Sequence, residues 1–201
     1  NGKSKAIIGK NAELISEGLK GYGLRANFSS TIEIGDNYKV TTKGADSHAV
    51  FLSLGNASAA NPSPGGGKVI TGDNGTLTTT NSNSNGVHVS SINGLVSLGN
   101  NTTVNVSGVN SKGLSIEGDP AAGGVERRTG DQIVTGSNLK VISSGAGGHG
   151  VHMYGINGKI TLGEMAEIYT TGTGAHALYG HGLQIGSNIY GNNGKIVVGD
   201  K

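Results

Sequence analysis

Cysteine and tryptophan are absent from this chain, and proline occurs only 3 times in 201 residues. Without cysteine there is no disulfide framework and no thiolate metal site, a composition that suits any compartment, an oxidising one included. Scarce proline beside 38 glycines excludes collagen and argues against a proline-rich linker. Aromatic residues make up 4% and charged residues 14%, with a formal net charge of +2. Charge so weak and so scattered argues against nucleic-acid binding. No apolar run approaches the length of a transmembrane helix, and the opening Asn1-Gly2-Lys3 is no signal peptide. A sustained 3.6-residue period is also missing, so helices are not expected.

What is present is a repeat. An 18-residue pattern recurs six times without an internal gap, anchored on Gly9, Gly35, Gly72, Gly99, Gly136 and Gly163, with a truncated seventh start at Gly199. Five residues after each of the six anchors stands an aliphatic: Leu14, Val40, Leu77, Val104, Val141, Ile168. Nine after come Gly18, Gly44, Asn81, Gly108, Gly145 and Gly172. Fourteen after, only Gly or Ala occurs (Gly23, Ala49, Gly86, Gly113, Gly150, Ala177), and fifteen after is aliphatic again (Leu24, Val50, Val87, Leu114, Val151, Leu178). Hydrophobics held in fixed columns mark a solenoid, not a disordered low-complexity chain. The pattern is running by residue 6 and breaks off at Lys201, so residues 1–201 are expected to be one segment of a longer array.

Each repeat reads as one coil of three short strands. The residues three and one before the anchor, such as Ile32/Ile34 and Ile160/Leu162, alternate as a strand with one buried face. The anchor glycine is expected to make a turn at positive φ, and the Gly/Asn column at plus nine a second turn. A second strand carries the plus-five aliphatic and, at plus seven, a small hydroxylic residue (Ser16, Thr42, Thr79, Ser143, Thr170), with Val106 the exception. The third strand points inward at plus fifteen and plus seventeen. Three strands and three turns per repeat predict an all-β, right-handed parallel β-helix of about six to seven rungs. At about 4.8 Å per rung, six rungs stand roughly 29 Å tall.

A second period rides on the first. The anchors are spaced 26, 37, 27, 37, 27 and 36 residues apart, so short and long rungs alternate. The extra residues fall after the third strand and predict edge loops near 54–66, 117–131 and 180–193, about 10 Å apart along one edge. Their chemistries differ. The first is rich in Ala, Asn, Ser and Pro; the second carries Glu117, Asp119, Glu126, Arg127, Arg128 and Asp131; the third holds Leu183, Ile185, Ile189 and Tyr190.

Five of the six histidines belong to one strip. At plus thirteen stand Tyr22, His48, Asn85, Lys112, His149 and His176; at plus sixteen, on the outward face of the third strand, stand Arg25, Phe51, His88, Ser115, His152 and Tyr179. Planar side chains at strand spacing make a platform for sugar rings or another protein's surface, although such residues also simply stack well on exposed strands. The candidate binding residues are therefore Arg25, His48, Phe51, His88, His149, His152, His176 and Tyr179. The pair His149/His152 invites a metal reading, but Asn85 and Lys112 interrupt the column, and residues 149 and 152 are expected to project differently. No metal or other cofactor is expected. Catalysis on a polysaccharide would need clustered carboxylates, or carboxylates with Arg or Lys, on an outer sheet or cleft; Glu33 stands alone among the outward positions of the first strand, and no catalytic residue is assigned.

The stretch Gly158-Lys159-Ile160-Thr161-Leu162-Gly163, then Ile168, then Thr173-Gly174-Ala175-His176-Ala177-Leu178 resembles the passenger repeats of the type V autotransporters of Gram-negative bacteria. Residues 44–50 (Gly-Ala-Asp-Ser-His-Ala-Val) and 147–151 (Gly-Gly-His-Gly-Val) are similar to them as well. The resemblance spans nearly the whole chain. It implies a secreted β-helix held at the cell surface by a C-terminal β-barrel that this segment lacks. It further implies an adhesin that binds a host cell-surface glycan or protein, or associates with its own kind. The family carries over no site residue. A spacer stalk is the alternative, and a β-helical polysaccharide-active enzyme a more distant one.

Overall fold

In the computed structural model, residues 4–27, 29–53, 66–90, 94–117, 132–154, 159–181 and 195–198 are described. They form a parallel β-helix in which six rungs each contribute one strand to each of three sheets, and the strand Lys195–Val198 adds a seventh to the first sheet. Sheet A stacks seven strands: Lys5–Ile8, Thr31–Ile34, Lys68–Thr71, Leu95–Leu98, Ile133–Thr135, Lys159–Leu162 and Lys195–Val198. Sheet B stacks six, Glu13–Ser16, Lys39–Thr42, Thr76–Thr79, Thr103–Val106, Lys140–Ser143 and Glu167–Thr170. Sheet C stacks Leu24–Asn27, Val50–Ser53, Val87–Val89, Lys112–Glu117, His149–Tyr154 and Leu178–His181. Every pairing is parallel and keeps the repeat columns in register, as in Val40↔Leu77, Leu77↔Val104 and Val104↔Val141. Of the expected edge loops near 54–66, 117–131 and 180–193, all but Gly66, Glu117, Gly180 and His181 lie outside the described residues.

The inward columns meet along the axis as one core that includes Val40, Leu77, Val104, Val141, Leu52, Leu114 and Ile160, all completely buried. Each such aliphatic contributes about 1.5–3 kcal/mol on leaving water. A single rung has no partner for this surface, so stability comes from the stack. Rung two places Tyr38 in the core, where its hydroxyl donates to Thr71 Oγ1 at 2.9 Å. Glycine at 75 makes the room, since a Cβ there would fall inside the Tyr38 ring.

The turns differ from expectation. Positive φ falls two residues after the anchor, at Asn11, Asn37, Asn74, Asn101, Asn138 and Met165 (φ 55–60°), and not on the anchor glycine. The second turn takes it at plus eleven, on Lys20, Asp46, Asn83, Asn110, Gly147 and Gly174, and not at plus nine. Asparagine tolerates the left-handed region because its short amide hydrogen-bonds locally. The anchor and plus-nine glycines answer a different demand. Stacked turns bring carbonyls of one rung against the next, so that a Cβ at Gly99 would collide with the Gly72 carbonyl and one at Gly108 with that of Asn81.

The Gly/Ala column at plus fourteen is set by its neighbour one rung on. A Cβ at Gly23, Gly86, Gly113 or Gly150 would collide with a γ-carbon of Val40, Val104, Val141 or Ile168, each β-branched and each in the following rung. Ala49 is the case where the following rung carries Leu77, which is not β-branched. Branching at one Cβ and the absence of another are thus a coupled choice.

Two polar ladders complete the turns. Side-chain amides run up one edge, Asn37 donating to Asn11 Oδ1, Asn74 to Asn37, Asn101 to Asn74 and Asn138 to Asn101, at 3.0–3.3 Å. At plus twelve, buried Ser47, Ser84 and Ser111 interlock. Ser84 Oγ accepts the Ser47 amide at 3.0 Å and donates to the Gly44 carbonyl, and Ser111 Oγ accepts the Ser84 amide at 2.9 Å.

Candidate functional site on the outer face of sheet C

Parallel register sets the plus-sixteen residues in one outward column: Arg25 beside Phe51, Phe51 beside His88, His88 beside Ser115, Ser115 beside His152, His152 beside Tyr179. The plus-thirteen residues enter the same surface from the strand starts. The two columns merge into two ring clusters separated by a polar centre.

In the first cluster, His48 stacks on His88 at 4.5 Å between centroids, and Phe51 lies 4.7 Å from Tyr22 and 5.3 Å from His88. The exposed Arg25 guanidinium sits 5.1 Å from the Tyr22 centroid and 5.6 Å from that of Phe51, within cation–π range. Its Nε donates to Asn27 Oδ1 at 3.3 Å. In the second cluster, His149 and Tyr179 are nearly coplanar-stacked at 4.4 Å and 7°, with His176 5.4 Å from both. His149 and His152 do not project apart as expected, for their rings stack at 5.5 Å and 17°. Regular alternation would set residue 149 on the inward face with Val151 and Met153, so the strand start departs from it where the two rings meet.

Between the clusters, Glu117 Oε1 receives Lys112 Nζ at 3.3 Å and the Ser115 hydroxyl at 3.1 Å, and lies 3.6 Å from His152 Nδ1. Burial by itself would raise the Glu117 pKa, but His88, Lys112 and His152 outweigh it and hold the carboxyl below its usual range. Burial depresses His48 to about 3, with His88 adding to the effect. It depresses His152 to about 4, with Lys112 beside it. Both rings are neutral at pH 7.

Burial sorts the candidates. Arg25 and His176 are exposed, and His48, Phe51, His149 and Tyr179 are half-buried. His88 and His152 are each only 8% exposed and Ser115 is fully buried, so the middle of the column is closed where an open platform was expected. The plus-thirteen side chains have a structural occupation as well. His48 Nδ1 accepts the Asn85 backbone N–H at 3.0 Å, Asn85 Oδ1 accepts that of Lys112 at 2.9 Å, and His149 Nδ1 accepts that of His176 at 3.2 Å. Asn85 thus continues the column it was expected to interrupt. Its amide nitrogen also donates to His88 Nδ1 at 3.0 Å.

Glu117, the first residue of the expected 117–131 loop, ends the strand Lys112–Glu117 and is the centre of the site. The available signal was parity, since residues 115 and 117 share a strand face. Glu33 does not stand alone, for Lys5 Nζ lies 2.8 Å from its carboxylate. Among the described residues no group of three or more His, Asp or Glu could hold a metal ion. No family model, no curated protein and no solved structure matches the chain.

Proposed function

We propose that this chain is a passenger segment of a type V autotransporter adhesin, held at the bacterial surface and acting as a binding scaffold without catalysis. It binds a host glycan or protein, or a second copy of itself, through the accessible ends of the sheet C strip. The observation that carries this reading is the pair of ring clusters on rigid rungs, Tyr22/Arg25/Phe51 at one end and His149/His176/Tyr179 at the other. Each offers planar faces with polar edges, the chemistry that suits sugar rings and protein contacts alike. His88 and His152 flank the rings as neighbours along the column and are too buried to touch a partner.

A structural spacer is the second reading, favoured by one observation: His48, Asn85 and His149 each cap a backbone amide of the next rung. The two readings part in one experiment. Beads coated with the chain are scored for attachment to epithelial cells and for clumping, beside Arg25→Ala/Tyr179→Ala beads of equal thermal stability. Attachment or clumping lost in the variant supports the strip. Binding that survives the change places the activity elsewhere, and wild-type beads that neither attach nor clump support the spacer.

A further inference from the structure

Histidine at plus thirteen does a task that asparagine does in the same column, and the two side chains differ in one respect: only the imidazole loses its acceptor when it takes up a proton. A backbone N–H can only donate, so the Nδ1 of His48 and of His149 must be unprotonated, with the proton of the neutral ring on Nε2. Protonation at Nδ1 converts each acceptor into a donor facing a donor. The two affected links join rung two to rung three at Asn85 and rung five to rung six at His176. The link between rungs three and four runs through Asn85 and cannot titrate.

The surroundings amplify the change. Around His48 stand Tyr22, Phe51 and His88, with Lys112 and Glu117 close enough to act on its charge. Around His149 stand His152, His176 and Tyr179, with Lys112 again nearby. Among these described groups Glu117 is the only carboxylate, and it already serves Lys112 and Ser115. Each added imidazolium therefore meets stacked imidazoles and a fixed ammonium, with a single anion to share. Sheets A and B carry no histidine among their strands.

We propose that the outer strip of sheet C is an acid-sensitive seam: protonation of His48 and His149 releases the amides of Asn85 and His176 and loosens sheet C locally, while sheets A and B stay closed. The depressed pKa of both rings agrees in direction, burial being the first cause for each. The inference concerns the fold's own response to pH and stands whether or not the strip binds a partner.

Amide hydrogen exchange, expressed as protection factors at pH 7.5 and pH 5.0, tests it on the intact chain. Protection of the Asn85 amide should fall roughly 30-fold, as expected for a group that titrates near 6.5 when released and near 3 when held. His176 should move the same way. The sheet B amides of Thr76 and Lys140, bonded to the Tyr38 and Thr102 carbonyls, should stay better protected than Asn85 and His176 at both pH values, because only global unfolding exposes them. In His48→Asn/His149→Asn, where the side chain keeps the acceptor as Asn85 does, both amides should become insensitive to pH. Protection at Thr76 and Lys140 that falls to the level of Asn85 and His176 at pH 5.0, unchanged protection at Asn85 and His176, or pH sensitivity of those two amides that persists in the asparagine variant would each overturn the proposal. The wild-type comparison alone decides the matter if the variant does not fold.

Discussion

Gly86→Ala tests the coupled columns most directly. The added Cβ would lie well inside 3.0 Å of Val104 Cγ1, and 2.7 Å from the Gly113 carbonyl oxygen. Val104 is fully buried and stiff at χ1, so it cannot rotate aside without leaving its rotamer well, which costs about 0.5–1.5 kcal/mol. The carbonyl belongs to the next rung and must shift as well. Overpacking of this kind costs about 1–3 kcal/mol, and the two collisions place Gly86→Ala in the upper half of that range. For a chain of this length that lowers Tm by about 5–10 °C. Val104→Leu moves the branch point out by one carbon and reproduces the Ala49/Leu77 combination found one rung earlier. By itself it overpacks a full site and also destabilises. Combined, the two changes should cost less than their sum by about 1 kcal/mol or more, a coupling read from urea unfolding of the four proteins of the cycle. Additivity to within about 0.5 kcal/mol would refute the claim that branching in one rung dictates glycine in the previous one.

Val104→Asp buries an unpaired carboxylate at the centre of the stack and should unfold the middle rungs, so that the cooperative thermal transition is lost. Tyr38→Phe should cost about 1 kcal/mol by removing the buried donor to Thr71 while leaving the ring over Gly75. At Asn74, glycine keeps the positive φ and loses the amide ladder, whereas alanine loses both, so Asn74→Ala should melt below Asn74→Gly. Global stability should be level above pH 6.5 and fall as the pH drops towards 4. His48 and His152 are held near 3 and 4 when folded, so below 6.5 the unfolded chain takes up protons that the folded chain refuses. Each of the two should shift the unfolding equilibrium by roughly tenfold per pH unit. A thermal midpoint that rises on acidification from 6.5 to 5 would contradict the neutral, buried state of both rings.

Much of the molecule could be read from one strand of text because a β-helix converts sequence period into spatial neighbourhood. Val40, Leu77, Val104 and Val141 lie 37, 27 and 37 residues apart yet touch in consecutive rungs, and a fixed column in the sequence becomes a ladder in space. The gathering of Phe51, His88, His152 and Tyr179 on one outward column was legible for the same reason. The asparagine ladder stands in an equally plain column at plus two, but glycine is the residue that most readily takes positive φ, so the pattern alone points to the anchor rather than to Asn11, Asn37, Asn74, Asn101 and Asn138. Sequence could also not reveal that the anchor glycines are there for space. That reason lies in the carbonyl of another rung, which has no sign in the local pattern.

From sequence alone came the rung, the three sheets, the register and the strip, all consequences of a short-range period repeated six times. Tertiary structure alone decided which outward side chains meet water and which charges meet each other. His88 and His152 occupy the same repeat position as the exposed Arg25, yet they are closed over, and Glu117 collects Lys112, Ser115 and His152 around one oxygen. A period states which residues are equivalent; solvent exposure and pKa depend on what surrounds each copy, and in this chain the copies are surrounded differently.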